Sequence, residues 1–177
     1  MESCINIISD LGNIVTATAA VAGVVIALFG LRGWRDELHG RADFELARRV
    51  MRSVYEVRNR IRQMRTVVST ESFETRYERF NSKAGELDSE LFEAEVLWGD
   101  TLHGPKESLK ERVSTFRLAL SDRYDEKNGF ELTETRHQEL NAICDGYGRK
   151  NDRFDEETER TVSEFEEALR PYLKRGK

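Results

Sequence analysis

From Leu11 to Leu31 no residue carries a charge, and no other feature of this chain restricts its folding as much. The apolar part proper runs from Ile14 to Leu31 and reads IVTATAAVAGVVIALFGL. As a helix it is about 27 Å long at 1.5 Å per residue, close to the hydrocarbon thickness of a bilayer. A cleaved signal peptide fits poorly. The start, Met1-Glu2-Ser3, has no positive residue, and the cleavage-like Ala17-Thr18-Ala19 precedes the strongest apolar run instead of following it. A buried core helix fits poorly too, because such a helix is seldom apolar on every face and then arginine-rich at once. The expectation is one N-terminal transmembrane helix.

Its flanks suggest an orientation. Arg32, Trp34, Arg35 and Arg41 follow the run and are the expected membrane-interface anchors. An indole is amphipathic and a guanidinium binds phosphate, so both suit lipid headgroups. The other flank holds Glu2 and Asp10 but no lysine or arginine. The positive-inside rule then puts the N-terminus outside and the C-terminal domain in the cytoplasm. Within the run, Ala19, Gly23 and Ala27 stand four residues apart and share one helical face, as do Gly12, Thr16 and Ala20. Small residues so spaced let two membrane helices approach and associate, giving a route to a homo-oligomer. Alanine and glycine are also simply common in membrane helices, so the plain-anchor reading stands beside it.

Charged residues make up 34% of the chain and prolines number two, which favours long helices over strands. The charge is uneven. From Arg32 to Arg65 ten arginines face five acids, whereas from Thr66 onward eighteen bases face twenty-six acids. A chain basic only in one short stretch is not expected to bind nucleic acid. Two cysteines, Cys4 and Cys144, form neither a disulfide framework nor a cysteine-based zinc site.

Beyond the membrane run, apolar residues recur at alternating steps of three and four. One series is Ala47, Val50, Val54, Val57, Ile61, Met64 and Val68; a second is Phe73, Tyr77, Phe80, Ala84, Leu87, Leu91, Ala94 and Trp98. A third is Leu109, Val113, Phe116 and Leu120, continued by Tyr124, and a fourth is Thr158, Val162, Phe165, Leu169 and Tyr172. Leu140, Ile143 and Tyr147 suggest a short extra helix. A period of 3.5 keeps one stripe on a partner, as in coiled coils and bundles. The bulk of Phe73, Tyr77 and Phe80 favours a bundle closed within the chain over a two-stranded coiled coil.

The punctuation agrees. Ser69 or Thr70 is placed to cap the second helix, Thr133 the extra one, and Asn151 or Asp152 the last. His103-Gly104-Pro105 reads as loop, Asn128-Gly129 as a helix stop, and Pro171 as the end of the last helix. The fold class expected is all-α: a transmembrane helix continuing into an antiparallel, four-helix-bundle-like cytoplasmic domain. Residues 1–31 form the extracytoplasmic N-terminus and span, 32–45 an arginine-rich juxtamembrane segment, and 46–177 the bundle. The acidic last helix is expected to pair with the arginine-rich first one. Arg58, Arg60 and Arg65 flank its stripe, and Arg48, Arg49, Arg52 and Arg62 point outward.

Candidate chemistry is thin. Each histidine follows an acid by three residues: Asp36/His39, Asp100/His103 and Glu134/His137. Glu-x-x-His is half of a di-iron bundle pattern, which needs two such pairs and two further glutamates in one core. Only Glu134/His137 falls on an expected helix. No nucleophile–histidine–acid order, zincin motif or phosphate-binding glycine loop is present. No catalytic, cofactor-binding or metal-binding residue is therefore expected, and Trp98 is expected to pack in the core.

The stretch Trp34-Arg35-Asp36-Glu37-Leu38-His39-Gly40, then Phe44-Glu45-Leu46-Ala47, Tyr55 and Arg58, resembles a group of uncharacterised bacterial single-pass membrane proteins with an N-terminal anchor and a cytoplasmic helical domain. The ending Ala168-Leu169-Arg170-Pro171-Tyr172-Leu173 is similar to theirs. The resemblance implies a bacterial inner membrane and carries no known activity. Two functions fit these expectations. The first is a non-enzymatic interaction or scaffold module at the inner membrane face, with membrane lipids and a protein partner of unknown identity. The alternative is a defence- or toxin-like, membrane-active effector that oligomerises through its anchor and perturbs the bilayer.

Overall fold

The computed structural model describes the backbone of residues 2–66, 72–145, 147–148 and 151–174, and side chains from residue 23 onward except 25, 28, 32, 33, 36 and 127 within those ranges. Among the described residues there are five α-helices and no strand. They are α1 (Glu2–Arg65), α2 (Phe73–Trp98), α3 (His103–Lys127), α4 (Glu134–Cys144) and α5 (Arg153–Lys174), with a 3-10 turn, Gly99–Leu102, between α2 and α3. The chain divides into two compact units, Met1–Ala42 and Asp43–Lys177.

The first unit is helical. Among the described residues no helix is long and apolar enough to cross a membrane. The apolar run from Ile14 to Leu31 lies within α1, but the side chains of residues 14–22, 25 and 28 lie outside the described residues.

In the second unit α1, α2, α3 and α5 form a four-helix bundle. Its core follows the stripes. Val50, Val54, Val57 and Ile61 of α1, Phe80, Leu87 and Leu91 of α2, Val113 and Phe116 of α3, and Val162, Phe165 and Leu169 of α5 are all buried. At the centre the rings of Phe80 and Phe116 meet edge to face, 5.5 Å apart at 88°, a geometry that suits the aromatic quadrupole. Charged contacts fix the directions. Lys83 meets Glu56 and Arg49 meets Glu93, so α2 runs antiparallel to α1. Lys106 pairs with Glu95 and Arg117 with Asn81, so α3 runs back along α2. Arg62 meets Asp155 while Tyr55 meets Glu166, so α5 is antiparallel to α1. The short α4 packs on α3 through Leu140, which is fully buried.

Several local expectations change. The cap of α2 is Ser72, whose Oγ accepts from the Thr75 N–H at 3.2 Å; Ser69 and Thr70 lie outside the described residues, as does Val68. His103 is not in a loop but begins α3, because the 3-10 turn takes up the reversal. Pro171 does not end α5, which continues to Lys174. Proline removes one N–H; here it sits on the exposed side of the last turn, while Tyr172 and Leu173 hold that turn against the core. Tyr124 is 54% exposed and leaves the core, and Tyr147 lies beyond the end of α4. Thr133 caps α4 and Asp152 caps α5, as their positions imply.

Candidate functional site

The expected membrane-interface residues lie in the first unit. The indole of Trp34 is 62% exposed. Arg35 is exposed, and its carbonyl accepts from His39 Nδ1 at 2.7 Å. Arg41 pairs with Glu37 at 2.6 Å, one turn away, and both side chains face solvent. The side chain of Arg32 lies outside the described residues. So does that of Ala19, while Gly23 and Ala27 are exposed and share a helical side. A methyl placed on Gly23 would meet nothing within 4 Å. Around this helix Val24, Ile26, Phe29 and Leu31 are 60%, 72%, 68% and 59% exposed. At about 100° per residue Val24 and Leu31 point one way and Ile26 and Phe29 the other, so apolar surface is offered on two opposite sides.

The second unit concentrates its polar order where three helix ends converge. Arg65, the last residue of α1, has a side chain with no exposure at all. Its Nε donates to the Ile143 carbonyl at 2.6 Å and its Nη2 to the Ala142 carbonyl at 3.3 Å. These carbonyls belong to the last turn of α4, where no further helical N–H is available to them. Nη2 also meets Asp152 Oδ1 at 2.7 Å, and that same oxygen accepts from the Asp155 N–H to cap α5. One planar guanidinium thus satisfies the negative end of α4 and the capping carboxylate of α5. The Phe154 ring lies 5.1 Å from its carbon. Asn151, at φ 69°, turns the chain into this junction. Among the described residues, Arg65 Nη1 and Asp152 Oδ2 are buried without a hydrogen bond, Nη1 standing 3.9 Å from Asp155 Oδ1.

From this junction an ion-pair seam runs between α1 and α5. Arg62 is held by Asp155 and Glu159 at 2.8 and 3.0 Å, and Arg58 reaches Glu159 at 3.4 Å. The expected pairing of the arginine helix with the acidic one is therefore present. Arg62, however, is half-buried in the seam and not directed outward. Its position beside Ile61 lies between the α1 stripe and α5, where Asp155 can reach it.

Two clefts border this region. One of about 470 Å³ is lined by Arg112, Ala142, Ile143, Asp152, Phe154 and Glu157. Its charged groups are already engaged: Arg112 with Glu157, and Asp152 with Arg65. The other, about 390 Å³, lies between α2 and α3 and is lined by Phe73, Tyr77, Leu120 and Tyr124, with Glu74 and Glu78.

Comparison with known proteins returns no matching family model, no matching curated protein and no matching solved structure. The residues must therefore speak for themselves. Among the described residues no three histidine, cysteine, aspartate or glutamate side chains are grouped as a metal ion would require. The histidines are dispersed. His137 does not join Glu134 but turns to Glu126 at 2.6 Å on α3, while Glu134 accepts from Gln138. With Arg123 and His137 against it, the Glu126 carboxyl is held below the usual carboxylate range. Trp98 is half-buried, stacks on Tyr172 at 4.2 Å and donates its Nε1–H to Asp43 at 2.8 Å. Periodicity placed Trp98 in the core but carried no sign of that bond. The helix-end junction at Arg65 was equally hidden, since its partners lie 77 to 87 residues away in the chain.

Proposed function

We propose that the chain is a membrane-anchored, non-enzymatic interaction module of a bacterial inner membrane. In this reading the run from Ile14 to Leu31 spans the bilayer with the N-terminus outside. Trp34, Arg35 and Arg41 sit at the lipid headgroups, and the helical unit Asp43–Lys177 meets a protein partner on the cytoplasmic side. The observation that carries it is the exposure of Val24, Ile26, Phe29 and Leu31 toward two opposite sides of one helix. A water-facing helix confines such residues to one stripe, whereas lipid accepts them all round. The paired charges around the bundle supply a folded unit for the anchor to hold.

The test is extraction and labelling. The full chain should stay with membranes through alkaline carbonate. Cys144 is buried and so reports nothing about sidedness. Ser82, which is exposed, is the better site. On a Cys4→Ser background, an impermeant maleimide should spare Ser82→Cys in intact spheroplasts and label it after lysis. Release by carbonate would remove the anchor; labelling before lysis would reverse the orientation.

The open face at Gly23 favours one further reading, an effector whose anchors associate and perturb the bilayer. A genetic reporter of membrane-helix association should then lose its signal with Gly23→Leu and retain it with Val25→Leu, about 160° around the helix.

A further inference from the structure

The core stripe of α2 is not its only ordered one. Gly85, Ser89, Phe92 and Val96 recur at steps of four, three and four and fall within a strip about 60° wide at 100° per residue. All four are exposed, Phe92 by 67% and Val96 by 68%. Gly85 has nothing within 4 Å of the place a methyl would occupy. The Ser89 hydroxyl folds back onto the Gly85 carbonyl at 3.1 Å, so both positions leave the surface low. The strip therefore reads small, small, large, large. Two such strips laid antiparallel, with a two-fold axis between Ser89 and Phe92, set Val96 over Gly85 and Phe92 over Ser89. Each bulky residue of one copy meets a low point of the other, the condition for an isologous contact.

We propose that this face of α2 is a self-docking surface, through which two copies of the chain pair antiparallel with Phe92 and Val96 of each filling the dips at Ser89 and Gly85 of the other. The order of residue sizes selects a second copy over a foreign partner, since an unrelated helix gains nothing from this particular symmetry. Of the acids that border the strip, Glu86, Glu93 and Glu95 are already held by Lys83, Arg49 and Lys106, and the exposed Asp88 falls opposite Glu93 of the other copy, beside its Arg49. A contact between single helices buries less than the roughly 800 Å² per partner of a standard interface, so the pair is weak in dilute solution. Sharing one membrane would raise the effective concentration, and that enhancement alone rests on the anchored reading.

Crosslinking of the full chain in the cells that express it tests this whether or not the chain is anchored. On a Cys4→Ser background, Ser89→Cys should give a covalent dimer with a short permeant bismaleimide. Gly85→Cys alone should give little, because its two copies would be about 16 Å apart along the axis at 1.5 Å per residue. Differently tagged Gly85→Cys and Val96→Cys chains should link to each other. Adding Gly85→Leu to Ser89→Cys should cut the yield at least tenfold, although it enlarges the apolar surface and its Cβ meets nothing within 4 Å in its own chain. An unchanged helical melt confirms that this variant is folded, and adding Val96→Ala to it should restore linking. The proposal is overturned if Ser89→Cys does not link, if Gly85→Cys self-links as well as Ser89→Cys, or if Gly85→Leu leaves the yield unchanged or raises it. Carbonate extraction of the same cells reports on the anchor separately.

Discussion

Arg65 and Asp152 meet at 2.7 Å with side chains 0% and 8% exposed, at the one point where α1, α4 and α5 all end or begin. A buried ion pair can often be replaced by apolar residues at little cost, whereas removing one member strands a charge. Here even the double replacement is costly, because the guanidinium also holds the carbonyls of Ala142 and Ile143.

Arg65→Met should therefore destabilise the protein by about 3–5 kcal/mol. Asp152→Asn, which keeps an oxygen for the Asp155 N–H, should cost about 1.5–3 kcal/mol, the range of a hydrogen bond to a charged group. Urea unfolding followed by helical circular dichroism measures both. A loss below about 1 kcal/mol for Arg65→Met, a typical single neutral hydrogen bond, would show that the junction does not hold the helices together.

Neighbours on α2 give a sharper contrast. Leu91 is 2% exposed and Phe92 is 67% exposed. Leu91→Ala should cost about 2–5 kcal/mol through lost burial and the cavity it leaves. Phe92→Ala, the larger truncation, should stay within about 0.5 kcal/mol in the monomer. Equal losses would mean that the two faces of α2 are exchanged.

Burial pushes the Cys144 thiol up from its ordinary 9.0 to about 11, with the Asp145 charge adding to the shift. The folded protein holds this proton more tightly than the unfolded chain does. The resulting stability is complete below pH 9.0 and is lost as pH rises through about 11. In the folded Cys4→Ser protein at pH 8 the thiol should resist an aromatic disulfide reagent, then react at once on unfolding. Cys144→Ala should flatten the stability loss between pH 9 and 11. Rapid labelling of the native protein would place the thiol at the surface.

The helices were legible because burial at steps of three and four is a one-dimensional consequence of packing. Ala47 through Ile61, Phe80 through Ala94 and Val162 through Leu169 lie in the core where the period puts them. The end of α5 was not legible, because a rule about Pro171 is local while the stacking of Tyr172 on Trp98 is not. The role of Arg65 could not be read either: its neighbours in sequence mark it as one more flank arginine, and only the meeting of α4 and α5 makes it a shared cap. The second strip on α2 was present in the letters but was masked by the stronger core period beside it. Arg32, Trp34, Arg35 and Arg41 were chosen from residue type and position alone, and their headgroup role stays a proposal.

The Trp98 ring lies flat on Tyr172 near the end of α5 while its N–H grips Asp43, the residue where the second unit begins. One side chain of α2 thus clasps the opening residue of the unit on α1 and the closing turn of α5, so truncating that indole would loosen three helices at the same end of the bundle.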